Sequence, residues 1–299
     1  MTGRAEIPQV VRSRLALRDA LGAEAPGLVP TMGALHDGHR ALIRRSVAEN
    51  RRTVVSIFVN PTQFGEAADL IAYPRDLERD AALAAAAGAD LIFAPAVDEV
   101  YVPGFATVVE VGGLDARWEG AARPGHFRGV ATVVTILLNL VQPARSYFGE
   151  KDYQQLLIVR RLHADLALPG QVVACPTVRD ADGLALSSRN ARLSPEDRGR
   201  AAAVPRALDR MAEAAATGET DVAGLIAAGR EELAGVERAT VEYLAVVDGA
   251  TLEPIARLHP GARALVAVRL GGVRLIDNVA LATAAPGSGG ARASAPVRG

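Results

Sequence analysis

Three short segments carry residue types suited to handling phosphate. The first is PTMGALHDGH at residues 30–39, an apolar run and a glycine turn followed by His36 and His39, three apart, where a helix is expected to begin. That spacing places both imidazoles on one helical face, beside the backbone N–H groups that a helix start leaves free. Such an end attracts anions through those groups and through its dipole. Imidazoles placed there can donate hydrogen bonds to phosphate oxygens as charge builds up during displacement, and Gly33 and Gly38 let a nucleotide approach the backbone closely. Capping or surface histidines are the plain alternative. Zinc is a weaker one, because no HExxH pattern and no cysteine partner is present and His126 is the one candidate for a third imidazole.

The second segment, YFGEKDYQQ at 147–155, again runs from strand through glycine turn to helix. Of the 33 Lys and Arg residues, Lys151 is the sole lysine. A compact ammonium on a flexible stem serves as a point charge against phosphate where a planar guanidinium fits differently. Gln155 projects from the first turn that follows. Neither a Walker A pattern nor a G-x-G-x-x-G fingerprint occurs, so phosphates must be held in some other way. The third segment is VRDADGLALSSRN at 178–190. Asp180, Asp182 and Gly183 resemble the start of a calcium loop, but Leu184 stands where a ligand belongs and no glutamate closes it, so they read as a turn. Ser187, Ser188 and Arg189 offer two hydroxyls and a fork of donors suited to phosphate, on a loop able to close over it.

Strands and helices alternate in the order needed to place these segments. An amphipathic helix is expected at 10–21, a strand at GLVP, a helix at 39–50 and a buried strand at 53–59, with NPTQFGE as a loop beyond that strand's carboxyl end. A helix at 75–88 and strands at 90–94 and 107–111 follow. Next come a helix at 130–141, a strand at 146–148, a helix at 152–166 and a strand at 171–175. Such alternation implies an α/β fold with a parallel sheet, whose ligands sit beyond the strands' carboxyl ends. Two helical stretches at 195–217 and 221–233, then strands at 240–247, 262–270 and 273–276, imply a smaller C-terminal α+β domain. The expected division is 1–176 for the parallel-sheet domain, 177–283 for the smaller α+β domain and 284–299 for a disordered tail rich in small residues.

Composition narrows the function. Hydrophobic residues make up 49% and charged ones 22%, the balance of a globular protein. A formal net charge of -1 argues against nucleic acid as the main partner. The N-terminus lacks a signal-peptide core and no window approaches a membrane span, which places the expected site of action in the cytoplasm. Cys175, the lone cysteine, excludes intrachain disulfides and thiolate-cluster metal sites, and its apolar surroundings read as core.

Taken together, the segments closely resemble the pantothenate synthetase (pantoate–β-alanine ligase) family of the HxGH nucleotidyltransferase group. The resemblance runs from about 30 to 278 and comprises PTMGALHDGH, FVNPTQF, YPRDLERD, RPGHFRGV, YFGEKDYQQL, PTVRDADGLALSSRN and RLIDN in one order. It implies a Rossmann-like ATP-binding domain, a smaller closing domain and a homodimer. It also implies that His36, His39 and Lys151 are catalytic, with His39 at the position usually assigned that role. Met32, Gly33, Ala34, Leu35, His36, Asp37, Gly38 and His39 match one ATP-binding segment, and Gly149, Glu150, Lys151 and Asp152 a second. Val178, Leu186, Ser187, Ser188 and Arg189 match a third. Gln63 matches a residue touching both pantoate and β-alanine, Gln155 one that holds pantoate, and Asn60 and Arg123 their neighbours. Asp80 is expected near Mg²⁺. Leu186 stands where many members have methionine, a swap of similar volume. The implied reaction is adenylation of pantoate by ATP, then displacement of AMP by the β-alanine amine. The rivals are an HxGH enzyme that stops at a nucleotidyl product, a nucleotide-binding module without turnover, and a zinc hydrolase.

Overall fold

The computed structural model describes residues 8–65 and 67–282. The expected tail at 284–299 lies outside the described residues. The first strand, β1 (Gln9–Val11), is followed by α1 (Arg14–Leu21), β2 (Gly27–Thr31), α2 (Asp37–Glu49) and β3 (Thr53–Ile57). Then come α3 (Ala67–Ala72), α4 (Leu77–Ala86), β4 (Leu91–Phe93), α5 (Val97–Val100), α6 (Glu119–Ala122) and α7 (His126–Val141). The parallel sheet is completed by β5 (Arg145–Gly149), α8 (Tyr153–Asp165) and β6 (Gln171–Cys175). Its six strands lie in the order β1-β4-β3-β2-β5-β6, every pair parallel. Leu28, Val54, Leu91 and Phe93 bury one face against α1, α7 and α8. Val29, Val55 and Ile92 bury the other against α2 and α4, in a cluster that also holds Cys175. Strands covered on both faces must be apolar throughout, which is why they read as unbroken Val, Ile and Leu runs.

This order creates the site. From β2 the chain winds outward through β3 and β4, whereas β5 and β6 lie on the opposite flank, so the direction reverses between β2 and β5. Crevices at such reversals hold ligands in open α/β sheets. Here the opening is widened, because β2 pairs with β5 only through Gly27 with Arg145 and Leu28 with Ser146. Pro30, which has no N–H to give, lies in the stretch of β2 that pairs with β3 but not with β5.

Beyond β6 come α9 (Pro195–Arg200), α10 (Ala203–Ala216), α11 (Val222–Leu233) and an antiparallel sheet β7-β8-β9 of Ala239–Asp248, Ala262–Leu270 and Val273–Ala280. It packs on α10 and α11 around Leu208, Met211, Leu225, Val266 and Val268.

Several expectations are corrected. Residues 10–21 do not form one helix: β-branched Val10 and Val11 join the sheet edge against β4, and the helix starts after Ser13, whose Oγ accepts from the Ala16 N–H. Residues 107–111 form no strand, and within the segment the Val109 N–H is satisfied by Thr132 Oγ1 at 2.9 Å. The single helix expected at 195–217 is broken, because Pro205 has no N–H for the Ala201 carbonyl, which accepts from the Val204 N–H instead. The short α3, α5 and α6 have no counterpart in the sequence reading.

Candidate active site

The loop after β2 is the first wall. Gly33 and Ala34 take left-handed conformations, with φ of 81° and 50°, and Asp80 from α4 fixes them. Its Oδ2 accepts from the Ala34 N–H and its Oδ1 from the Leu35 N–H, both at 2.8 Å. A Cβ on Gly33 would lie 2.8 Å from Asp80 Oδ2, so the turn needs glycine. Asp80 is 1% exposed and lies beneath the loop, outside the cleft lining. Among the described residues no group of three or more His, Cys, Asp and Glu is arranged to hold a metal. The geometry thus gives Asp80 a bracing place and offers no ready-made cation site.

His36 and His39 stand at the start of α2 in a reciprocal cap. His36 Nδ1 accepts from the Gly38 N–H at 3.2 Å, and His39 Nδ1 accepts from the His36 N–H at 3.3 Å. An Nδ1 that accepts carries no proton, so each neutral ring must carry its proton on Nε2. The ring centroids lie 4.1 Å apart, with the planes tilted by 43°. Burial, then the Lys151 ammonium, lowers the His36 pKa to about 4. Burial, then the neighbouring His36 ring, lowers that of His39 to about 3. At neutral pH both are therefore uncharged N–H donors.

Across the switch point, β5 ends in a 3-10 turn, Glu150–Asp152, that carries Lys151. The Lys151 side chain is 15% exposed and its Nζ lies 3.5 Å from Asp152 Oδ1. Burial opposes charge on Asp152, but the Lys151 and Arg189 cations outweigh it and hold the carboxyl below the usual range. The turn is bracketed from β9, where Asn278 Nδ2 donates to the Glu150 and Lys151 carbonyls, each at 2.9 Å. Arg263 of β8 lies over the Tyr153 ring at 3.7 Å.

A third wall comes from the loop after β6. Arg179 bridges to Ala185, and Leu186 N–H donates to the Val178 carbonyl. Asp180 and Asp182 form the turn between, tied to Arg198. The buried Asp277 grips Arg179 through two bonds of 2.5 and 3.1 Å. Ser187 then caps a short 3-10 turn that presents Ser188 and Arg189.

These walls enclose a cleft of about 230 Å³. It is lined by Met32, His36, Gly38, His39, Asn60, Gln63, Arg123, Gly149, Lys151, Asp152, Gln155, Val178, Leu186, Ser187, Ser188 and Arg189. Besides Asp80, five of the expected residues do not line it. Leu35 is fully buried in the core, Asp37 is exposed and paired with Arg40, Glu150 turns toward Arg263, and Gly33 and Ala34 serve the turn through their backbones.

At the far end, Gln63 is 7% exposed. Its Oε1 accepts from Asn60 Nδ2 at 2.9 Å, and its Nε2 lies 2.9 Å from Met32 Sδ. Asn60 is 1% exposed and bonded all round: Nδ2 also donates to the Gly129 carbonyl, and Oδ1 accepts from Thr62 and Tyr101. It braces Gln63 more than it faces the cleft. Gln154 and Gln155 part company. Gln154 is 5% exposed and donates to the Leu114 and Arg117 carbonyls, while Gln155 faces the cleft. Phe58, Val130, Val133, Val134 and Leu137 supply an apolar wall, and Tyr73, Thr177 and His126 also line the cleft. None of these eight was singled out from the sequence, where His126 enters only as a third zinc imidazole; its place in the RPGHFRGV block was the available signal.

Two effects on stability are expected from this geometry. A Cβ on Gly129 would lie 2.4 Å from the Thr62 carbonyl oxygen and 2.7 Å from the Gln63 nitrogen. Gly129→Ala should therefore push α7 off the Gln63 turn and destabilise the fold by about 1–3 kcal/mol, as overpacking does. An unchanged urea midpoint would show that the contact yields without cost. The second concerns acid. His36, His39 and His126 all have folded pKa values below the ordinary 6.5. The unfolded chain takes up protons that these rings refuse, so stability is full above about pH 6.5 and falls as pH drops toward about 4. The loss should be on the order of 1–2 kcal/mol per ring between pH 7 and 5. Equal unfolding free energies at those two pH values would contradict the buried, neutral assignment.

The fold is that of Rossmann-like α/β proteins, and the crevice at its switch point is lined for anions. The chain belongs to the pantoate–β-alanine ligase family, whose family model, described as Pantoate-beta-alanine ligase, matches residues 5–280. It is 57% identical over 264 residues to the pantothenate synthetase of Thermus thermophilus, covering 88% of this chain and 95% of that protein. It is 56% identical over 264 residues to that of Deinococcus radiodurans, covering 86% and 94%. A crystal structure of pantothenate synthetase from Thermus thermophilus superposes with a TM-score of 0.89 at 55% identity, covering 91% of this chain and 99% of that one. A Francisella tularensis pantoate–β-alanine ligase, complexed with beta-gamma ATP and β-alanine, superposes with a TM-score of 0.76 at 32% identity, covering 91% and 97%.

Proposed function

We propose that the chain condenses (R)-pantoate with β-alanine at the expense of ATP, forming pantothenate, AMP and pyrophosphate through a pantoyl adenylate. The observation that carries this reading is that His36, His39 and Lys151 line one cleft with Gln63 and Gln155, on the two sides of the sheet's switch point. In the first step the pantoate carboxylate attacks the α-phosphorus, and the bond from that phosphorus to the β-phosphate's bridging oxygen breaks. The charge that gathers on the departing pyrophosphate calls for donors more than for a base. Lys151, the His36 and His39 Nε2–H groups, Ser187, Ser188 and Arg189 are those donors. Gln63 and Gln155 hold pantoate's polar groups, and Val133, Val134 and Leu137 suit its dimethyl carbon. In the second step the neutral amine of β-alanine attacks the adenylate carbonyl, AMP leaves and the nitrogen sheds a proton. Positioning beside Gln63 and exclusion of water favour this step.

The nucleotide enters as its magnesium complex. Asp80 does not fit a resident magnesium ion, since both its oxygens are taken by the turn's N–H groups, and among the described residues no group of three or more His, Cys, Asp and Glu is arranged to hold one. The chain is read as two domains meeting at 176 and 177, acting in the cytoplasm as a homodimer. Among the described residues no helix is long and apolar enough to cross a membrane. Val102, Phe105 and Val108 between α5 and α6 are exposed apolar residues, of the kind a second copy would cover.

The test is to mix purified protein with ATP, Mg²⁺ and pantoate, then add β-alanine and follow AMP. Sustained AMP formation should require both acids. Pyrophosphate release that continues without an amine would favour an enzyme that stops at a nucleotidyl product, and the absence of turnover would favour a binding module.

A further inference from the structure

Arg123 reaches into the cleft half-buried, and among the described residues no carboxylate pairs with it. Burial, then the cation of Arg189, pushes its pKa down to about 10. Its hydrogen bonds run to one imidazole and one carbonyl: Nη1 lies 3.0 Å from His126 Nε2, and Nη2 lies 3.4 Å from the Gln63 carbonyl oxygen. The other nitrogen of His126, Nδ1, lies 2.8 Å from that same carbonyl. A carbonyl oxygen only accepts and a guanidinium only donates. Nδ1 must therefore carry the proton, and Nε2 must be bare. His126 is 8% exposed as the first residue of α7, so solvent has little access to either bond.

We infer that His126 is a positioning residue for the organic-acid end of the cleft: it donates to the Gln63 backbone and accepts from Arg123, fixing the guanidinium so that its remaining N–H groups meet a substrate carboxylate. The inference rests on the proposed function, which puts pantoate and β-alanine beside Gln63. It also makes the cleft a place of two tautomers. His36 and His39 show Nε2–H donors to the phosphate side, while His126 keeps Nε2 bare for an arginine. Protonation would set an imidazolium against the guanidinium, and burial and Arg123 lower the His126 pKa to about 4.

The test compares His126→Phe, which removes both ring bonds, with His126→Gln, whose side-chain oxygen can reach the place of Nε2 and accept from Arg123. The KM values for pantoate and β-alanine are each read against that for ATP. His126→Phe should raise at least one organic-acid KM by roughly tenfold or more while the ATP value stays within about twofold, the pattern of a lost local contact. His126→Gln should recover part of that loss. Equal rises for ATP and the acids, or no rise at all, would overturn the positioning role. Nitrogen-15 NMR of the imidazoles gives a second readout that needs no active variant: the His126 pattern, identified by its loss in either substitution, should be Nδ1–H. An Nε2–H pattern would overturn the inference even if the phenylalanine variant fails to fold. Wild-type protein that makes no AMP from pantoate and β-alanine would instead remove the proposed function, and the tautomer would then stand or fall on the spectrum alone.

Discussion

Lys151→Ala is expected to lower the rate of pantoyl adenylate formation by about 100- to 1000-fold, the effect of removing a preorganised donor from a developing anion. The ammonium is mostly shielded, lines the cleft opposite His36 and His39, and among the described residues has one carboxylate near it, at 3.5 Å. Its loss removes a full positive charge from the triphosphate side without opening the core. The melting temperature should therefore move little while single-turnover pyrophosphate release slows. Lys151→Arg should recover only part of the rate, since a planar fork cannot stand in for a point charge at the same place. A wild-type rate in the alanine variant would remove Lys151 from the mechanism.

His39 gives the second large effect, and its two nitrogens let the causes be separated. His39→Ala loses both the Nδ1 acceptor that caps α2 and the Nε2–H donor that faces the cleft. A rate loss of about 100-fold or more is expected, with about 1 kcal/mol of stability lost with the cap. His39→Asn places an oxygen near the position of Nδ1 and nothing at Nε2. It should regain the stability and not the rate. If asparagine restores pyrophosphate release as well, the imidazole acts as a cap alone, and the phosphate contacts must come from Lys151 and the 187–189 turn.

The sequence shows the chemistry more readily than the neighbourhood. Strand and helix alternation, the glycine turns and the lone lysine are local signals, and the parallel sheet with its smaller α+β partner is readable from the alternation. What brings His36 to Lys151 is not local. It depends on β2 lying beside β5 and pairing through only two residues, which no run of residues announces. The histidine tautomers are equally hidden, because they follow from which backbone N–H each ring caps. Gln154 and Gln155 show the same limit: one faces 114–119 and the other the cleft, a matter of helix phase to within one residue. Asp80, expected near Mg²⁺, spends both its oxygens on the turn after β2. In contrast, the break before Pro205 was open to sequence, since proline cannot donate and a helix through it must lose a bond.

The Asn278 bracket bears on how the protein is made. As the chain leaves the ribosome, the parallel sheet and the three segments that wall the cleft emerge before β9 does. The amide that ties down the Glu150 and Lys151 carbonyls comes more than a hundred residues after them. A nascent chain paused ahead of residue 278 would lack that amide, and the final strand completes the support of the turn that carries Lys151.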